Sequence, residues 1–417
     1  MSYRALLRVV SPTFFPLGLL ARLPYAMAPL ATLILLESVT GSYTFAGLAG
    51  AAQSIATAVG GPVVGALADR FGHRVVGSTA AVCNVVAMAL LLLATQMDRP
   101  AMFVAATLTG LTQPQVGPLV RVYWSHLAHT QGQAKLLPTA LSYEAAADET
   151  TFVIGPALVG VLTVISPVAP TVATIAVLAG ATLPFAFVHA RPHVALADRP
   201  AASAERLPRG PLAVMFFAMA LIGAVFGAIQ TGVAAYATGT GQPAAAGLLY
   251  AELGIGSALA GVACAWLPRR FKMRHRYVTF SATLLGGMSL LLANGAVVSL
   301  PAAIAVASVT VAPYMISLYA LTERLAPPHK AAVAMTILCA GGPLGTALGR
   351  AVAGNLADEH GAMGAFIVAP VTAAVALVLA VGVLVVDRGR GAWLPDERSL
   401  LEVSGSTDGV PRREADL

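Results

Sequence analysis

The sequence predicts an all-α membrane protein of twelve transmembrane helices, arranged as two blocks of six with both termini in the cytoplasm. Three observations carry that prediction. Of 417 residues, 57% are hydrophobic and only 11% charged, whereas a soluble domain carries about 25% charged residues. The mean hydropathy is +0.78, and the apolar stretches recur at the ~20-residue length that crosses a bilayer. The basic residues fall in alternate gaps between those stretches.

Taken in order, the N-terminal block is expected to span roughly 13–37, 43–68, 74–95, 101–124, 138–164 and 168–189. The C-terminal block is expected over roughly 211–236, 244–267, 277–298, 301–324, 331–356 and 363–386. Ser, Gly, Pro and charged residues mark the breaks. The first apolar run is too long for a signal peptide, holds Arg22 and lacks a small-residue cleavage site, so it is expected to be the first span. The domain plan is therefore a six-helix bundle over 1–190, a cytoplasmic linker over 191–210, a second bundle over 211–387 and a disordered polar tail over 388–417.

The basic residues test this plan. Starting from an inner N-terminus, the inner gaps hold Arg4 and Arg8, Arg70 and Arg74, Arg121 and Lys135, and Arg191 to Arg209. They also hold Arg269 to Arg276, Arg324 and Lys330, and Arg388 to Arg413. The outer gaps hold only Arg99, while Arg22 and Arg350 fall within helices. Such asymmetry fixes orientation, and an odd number of spans would scramble it.

Several function classes drop out. The net charge of +6 lies in loop clusters and forms no continuous nucleic-acid footprint. The three cysteines, Cys83, Cys264 and Cys339, sit in apolar segments and suit packing more than a disulfide or zinc site. His126 and His129 lack further ligands at metal-site spacing. No phosphate-binding loop ends in Lys-Ser or Lys-Thr, which excludes an ATP-driven pump of that type. We expect no enzyme activity and no cofactor. Arg greatly outnumbers Lys, and Ala, Gly and Val dominate, as in a GC-rich bacterial genome. A bacterial inner membrane is the expected location.

Between the second and third expected spans the chain reads Gly65-Ala-Leu-Ala-Asp69-Arg70-Phe-Gly72-His73-Arg74. This resembles the signature loop of the major facilitator superfamily, with His73 replacing one of its basic pair. The resemblance implies that fold over nearly the whole chain, to about Asp387. It also implies that Gly65, Asp69, Arg70, Gly72 and Arg74 form a latch between the halves that holds the outward-facing state. The corresponding loop from Arg269 to Arg276 lacks the Asp and Gly. The fifth span carries Gly155-Pro156 followed by Gly160, a partial likeness to the antiporter motif of drug exporters in that superfamily. Gly342-Pro343, Gly345 and Gly349 form its counterpart in the eleventh span. Close helix packing by small residues explains the same pattern.

Ionisable groups at membrane depth are costly and mark function by default. Glu144, Asp148 and Glu149 lie together in the fifth span, with Glu144 and Asp148 four apart on one face. Three acids so close cannot all ionise comfortably away from water, which suits a proton carrier. Arg22 lies at similar depth and Arg121 near the inner end of the fourth span. A pair of Arg22 with Asp148 or Glu149 is expected, either as a coupling site or as a static salt bridge. In the second half, Glu252 and Arg350 stand ready to pair with each other or with substrate, and Glu323-Arg324 ends the tenth span. Tyr25, Gln53, Gln113, Gln230 and Tyr314, with Asn84, Gln115 and Tyr143, are candidates for the cavity wall or for bonds between helices.

The expected function is secondary transport by alternating access, as proton-coupled efflux of a drug-like or amphipathic molecule. Asp148, Glu149 and Glu144 would carry the proton and Arg22 would tune it. Protons, membrane lipids and one small-molecule substrate are the expected partners of a monomer. The rivals are a symporter importing a small anionic metabolite, with Arg22 and Arg350 as its clamp, and a non-transporting receptor or scaffold.

Overall fold

The computed structural model describes residues 6, 9–11, 13–130, 137–189, 208–266, 273–294, 298–326 and 331–390. Residues 191–207 of the expected linker and 391–417 of the expected tail, Lys135 and the Arg269–Lys272 part of the basic loop lie outside the described residues, as do the side chains of Asp69, His126 and His129.

Among the described residues the architecture is helical. The first half contains α1 (Phe14–Thr40), α2 (Tyr43–Phe71), α3 (His73–Ala94), α4 (Arg99–Leu111), α5 (Val116–Thr130), α6 (Leu137–Thr163), α7 (Ala169–Val177) and α8 (Leu183–His189). The second half contains α9 (Arg209–Thr240), α10 (Ala244–Ala263), α11 (Met273–Ser289), α12 (Leu300–Leu325), α13 (Ala331–Phe366) and α14 (Val368–Arg390). Nine helical stretches among the described residues are long and apolar enough to cross a membrane. The expected fourth, fifth and eleventh spans are helical in the expected places but fall outside those nine.

The fourth span differs from expectation most. It is expected as one helix over 101–124, yet it breaks into α4 and α5. Pro114 lies in the gap, where it lacks an N–H and its ring opposes helical geometry in the residue before it. The sixth span is α7 and α8 joined by a π-helical turn over Leu178–Thr182. The eleventh runs beyond its expected end and bends at Gly361, whose φ of 64° suits glycine. Gly72 sits at φ 93°, closing α2 and opening α3 without a linker. The signature loop is thus a tight corner, and its last glycine is a backbone requirement.

The halves meet along glycine-lined seams. On α2 and α13, a Cβ on Gly47 would lie 3.3 Å from Gly354 Cα, and one on Gly50 would lie 3.2 Å from Arg350 Cδ. On α6 and α10, a Cβ on Gly160 would lie 2.9 Å from Gly247 Cα. Only small residues let backbones approach so closely. These contacts lie toward the end that carries the α1–α2 and α9–α10 turns. Toward the signature-loop end the halves diverge. Nothing lies within 4 Å of a Cβ built on Gly65, and Arg121, Glu149 and Cys339 are exposed. Tyr319 on α12 is nevertheless within electrostatic reach of Glu149, Arg121 and Cys339. Groups from the two halves therefore face one another across an open cleft.

Candidate functional site

The cleft wall contributed by α1, α5 and α6 holds a compact charged cluster. Arg22 projects from α1, where it is 4% exposed. It forms an ion pair and hydrogen bond with Glu144, and its Nε lies 3.0 Å from Asp148 Oδ1. That second contact is short but off the hydrogen-bond axis, so Arg22 Nε makes no hydrogen bond. Arg22 also donates to Gly18 O at 2.8 Å, tying its guanidinium to its own helix.

Both acids follow from sequence spacing. Residues four apart stack on one helical face, so Glu144 and Asp148 reach the same arginine. Their surroundings differ. Glu144 is fully buried, and Trp124 Nε1 donates to its Oε1 at 2.8 Å. Asp148 has about a quarter of its side chain exposed and bonds Arg121, whose side chain is 43% exposed. It packs beside Gly117, one residue into α5, and a Cβ there would lie 3.3 Å from Asp148 Oδ1. The break at Pro114 thus aims a helix N-terminus toward a carboxylate.

Two cations and two carboxylates form a chain from the buried interior to the cleft: Glu144, Arg22, Asp148, Arg121. The expected Arg22 contact with Asp148 is present, but the expected alternative, Glu149, is not in the chain. Glu149 is exposed on the cleft side, near Asp148. Tyr25 packs edge-on against Phe152, with ring centroids 6.2 Å apart. Tyr143 donates weakly to Phe15 O at 3.4 Å.

A second polar centre lies in the seam between α2 and α13. Arg350, 2% exposed, donates through Nε to Gln230 Oε1 at 3.0 Å and again through Nη2. Its Nη1 reaches Gly50 O and Ser54 Oγ, each at 3.1 Å. Tyr250 lies within electrostatic reach of Arg350 and beside Gln230. The expected pairing of Arg350 with Glu252 does not occur, and no carboxylate pairs with Arg350 among the described residues. Glu252 instead shares a helical face with Leu248, Ile255 and Leu259, which are 48%, 49% and 66% exposed. Glu252 thus lies on an exposed apolar face of α10.

Other cavity candidates serve packing. Gln53 donates to Thr32 at 3.2 Å and Thr109 at 2.8 Å, and Asn84 donates to Thr109 O at 2.7 Å. Tyr314 is fully buried and donates to Ala218 O at 2.9 Å. These residues tie helices together within one half. Gln113 is buried in the α4–α5 break with its Nε2 lacking a hydrogen-bond partner, while Gln115 packs on Gly61. Gly155 and Pro156 belong to the packing seams. A Cβ on Gly155 would lie 2.7 Å from Ala26 Cβ. In the signature loop, Arg74 lies over the Phe187 ring, 4.1 Å from its centroid, and Arg70 lies 5.1 Å from that of Phe71.

Sequence reasoning missed Trp124, Ser54 and Tyr250. Trp124 falls near the inner end of its span, where an aromatic residue reads as an interfacial anchor. Ser54 and Tyr250 carried no spacing signal.

Comparisons with known proteins agree with this architecture. The Major Facilitator Superfamily profile matches residues 14–338 and, again, 215–406. No curated protein matches the sequence significantly. Among solved structures, the nucleoside transporter NupG aligns with TM-score 0.69 at 16% identity, covering 89% of this chain and 97% of its own. A bacterial homologue of the iron transporter ferroportin, solved in an inward-facing state, aligns with TM-score 0.64 at 14% identity, covering 89% and 99%. The human organic anion transporter MFSD10 (TETRAN) aligns with TM-score 0.60 at 17% identity, covering 89% and 99%.

Proposed function

The chain belongs to the Major Facilitator Superfamily, and on that premise we propose that it is a proton-coupled secondary transporter that exports a drug-like or amphipathic molecule by alternating access. The observation that carries the proposal is the position of Asp148. It links buried Glu144 and Arg22 to cleft-exposed Arg121. A proton arriving from the cleft at Asp148 neutralises the carboxylate that holds the two arginines together. Arg22 then retains Glu144, and Arg121 is released toward the cleft. Transfer of that charge change to the α1–α6 packing, where Gly155 meets Ala26, couples protonation to movement between the halves.

With the termini in the cytoplasm, the glycine seams close the outer end and the cleft opens inward. Substrate would enter beside Arg121, Glu149 and Tyr25, then leave when the outer seams part. The solved neighbours include a nucleoside transporter, a homologue of an iron transporter and an organic anion transporter, so the shared fold selects no cargo.

One observation favours a second reading, import of a small anion with protons. Arg350 is a buried cation held, among the described residues, by neutral oxygens. Such a group attracts a carboxylate or phosphate once the seam opens.

Proteoliposomes containing a pH-sensitive dye distinguish the readings. With ethidium as a lipophilic cation and fluorescein as an organic anion, export coupling moves protons opposite to substrate, and symport moves them with it. Asp148→Asn combined with Glu149→Gln should abolish coupled proton movement while preserving the fold. Intact coupling in that variant would refute the proton-site assignment.

A further inference from the structure

The resemblance in the sequence concerns a latch at the signature-loop end of α2. The opposite end of the same helix holds an arrangement that the sequence did not announce. Asp358, near the far end of α13, accepts three hydrogen bonds from the start of α2. The donors are Ser42 Oγ at 2.8 Å, the Tyr43 backbone N–H at 2.6 Å and the Thr44 backbone N–H at 2.8 Å. A carboxylate at a helix N-terminus satisfies N–H groups that have no partner within the helix and meets the positive end of the helix dipole. Here the acid lies more than 300 residues away, in the other half of the molecule.

That distance gives the contact its meaning. An ordinary N-cap moves with its helix, but this one bridges two bodies. Next to it, the Tyr43 hydroxyl donates to Thr238 Oγ1 of α9 at 2.8 Å, and Gly47 nests against Gly354. No movement that opens this end can keep all three bonds to Asp358, because their donors are fixed to one helix and their acceptor to another.

We infer that Asp358 is a latch residue of the transport cycle, which holds the α1–α2 end closed by capping α2 across the boundary between the halves. It acts as a positioning residue and touches no substrate. Because α2 is unbroken over 29 residues, about 40 Å at 1.5 Å per residue, it carries the signature loop at one end and this cap at the other. Rocking α2 therefore moves its two ends in opposite senses relative to the other half. The inference rests on alternating access but on neither the direction of transport nor proton coupling.

The test measures closure directly. In a chain whose three cysteines are replaced, spin labels at Met97→Cys and Gln242→Cys report separation of the halves at this end by pulsed electron resonance in lipid nanodiscs. Both positions are exposed. Asp358→Asn should raise the ratio of separated to closed molecules about tenfold, the scale set by losing a charged helix cap. Thr44→Pro removes one donor in the first turn of α2, where the N–H has no partner within the helix, and should shift the ratio the same way. Asp358→Glu should restore closure at least partly. Distance distributions for both disrupting variants that superimpose on the parent would overturn the inference. Loss of fold in both would also overturn it, since the bonds would then serve folding and not closure. A shift without any coupled proton flux leaves the latch standing and removes only the proposed proton coupling.

Discussion

Replacing Arg22 with glutamine should be the most damaging single change in the charged cluster. Arg22 and Glu144 are 5% and 0% exposed at the side chain, so removing the cation strands a carboxylate in a dry site. Breaking a buried pair from one side costs about 3–5 kcal/mol. Loss of the additional contact to Asp148 costs less, because Asp148 keeps Arg121 and reaches the cleft. Arg121→Gln removes a largely exposed cation and should cost at most about 1 kcal/mol. Glu144→Gln alone should be intermediate, since Arg22 retains Asp148 and Gly18 O. Arg22→Gln with Glu144→Gln should recover most of the loss, because no buried charge is then left alone. The assay is reversible unfolding in mixed micelles, followed by tryptophan fluorescence, on all four variants and the parent. A loss for Arg22→Gln no greater than for Arg121→Gln, or no recovery in the double variant, would refute the reasoning.

Three further outcomes follow from the geometry. Gly247→Ala places a Cβ 2.5 Å from Gly160 Cα, about 0.9 Å inside ordinary contact, so α6 and α10 must part. At about 1–3 kcal/mol for overpacking, labels at Met97→Cys and Gln242→Cys should show the separated form enriched at least fivefold, and unchanged distances would contradict the seam. Gly72→Ala forces a β-carbon into φ 93° and should cost about 1–2 kcal/mol, seen as a lower melting temperature that Gly65→Ala, in open space, does not produce. Asp358 lies beyond the expected 331–356 span. Burial raises its carboxyl, but bonds from Thr44, Ser42 and Tyr43 outweigh that and hold it below the usual range. A depressed acid stabilises the closed end above its ordinary value near 4 and loses that effect as pH falls through the lowered value. Closure should therefore be flat from pH 8 to about 5 and fail only in strong acid. The surrounding charges are Glu37, Glu359, His360 and Arg99. An opening transition between pH 8 and 5 would contradict the assignment of the latch to Asp358.

The membrane architecture was legible because hydropathy and basic-residue placement are one-dimensional signals. The Glu144–Asp148 face was legible for a similar reason, since helical periodicity is local. What escaped depended on the packing of distant segments. Arg22 chose Glu144 as well as Asp148, because α1 crosses α6 at that level. Arg350 does not pair with Glu252, because Glu252 shares the exposed face of α10 with Leu248, Ile255 and Leu259. Pro114 had a readable consequence that was missed, since strong apolarity on both sides masked a broken helix. Asp358 carried no local signal, because its partners at the start of α2 lie more than 300 residues away.

The glycine seams carry a consequence for leakage. Contacts between backbones draw their attraction from dispersion, and a gap of 0.5–1 Å forfeits a quarter to a half of it. A wall built from Gly47, Gly354, Gly160 and Gly247 therefore has little holding force once slightly ajar. Half-parted arrangements are poorly populated relative to shut and fully parted ones. A carrier with such a wall spends little time with a thin water path through it, so ions have few moments in which to slip past uncoupled.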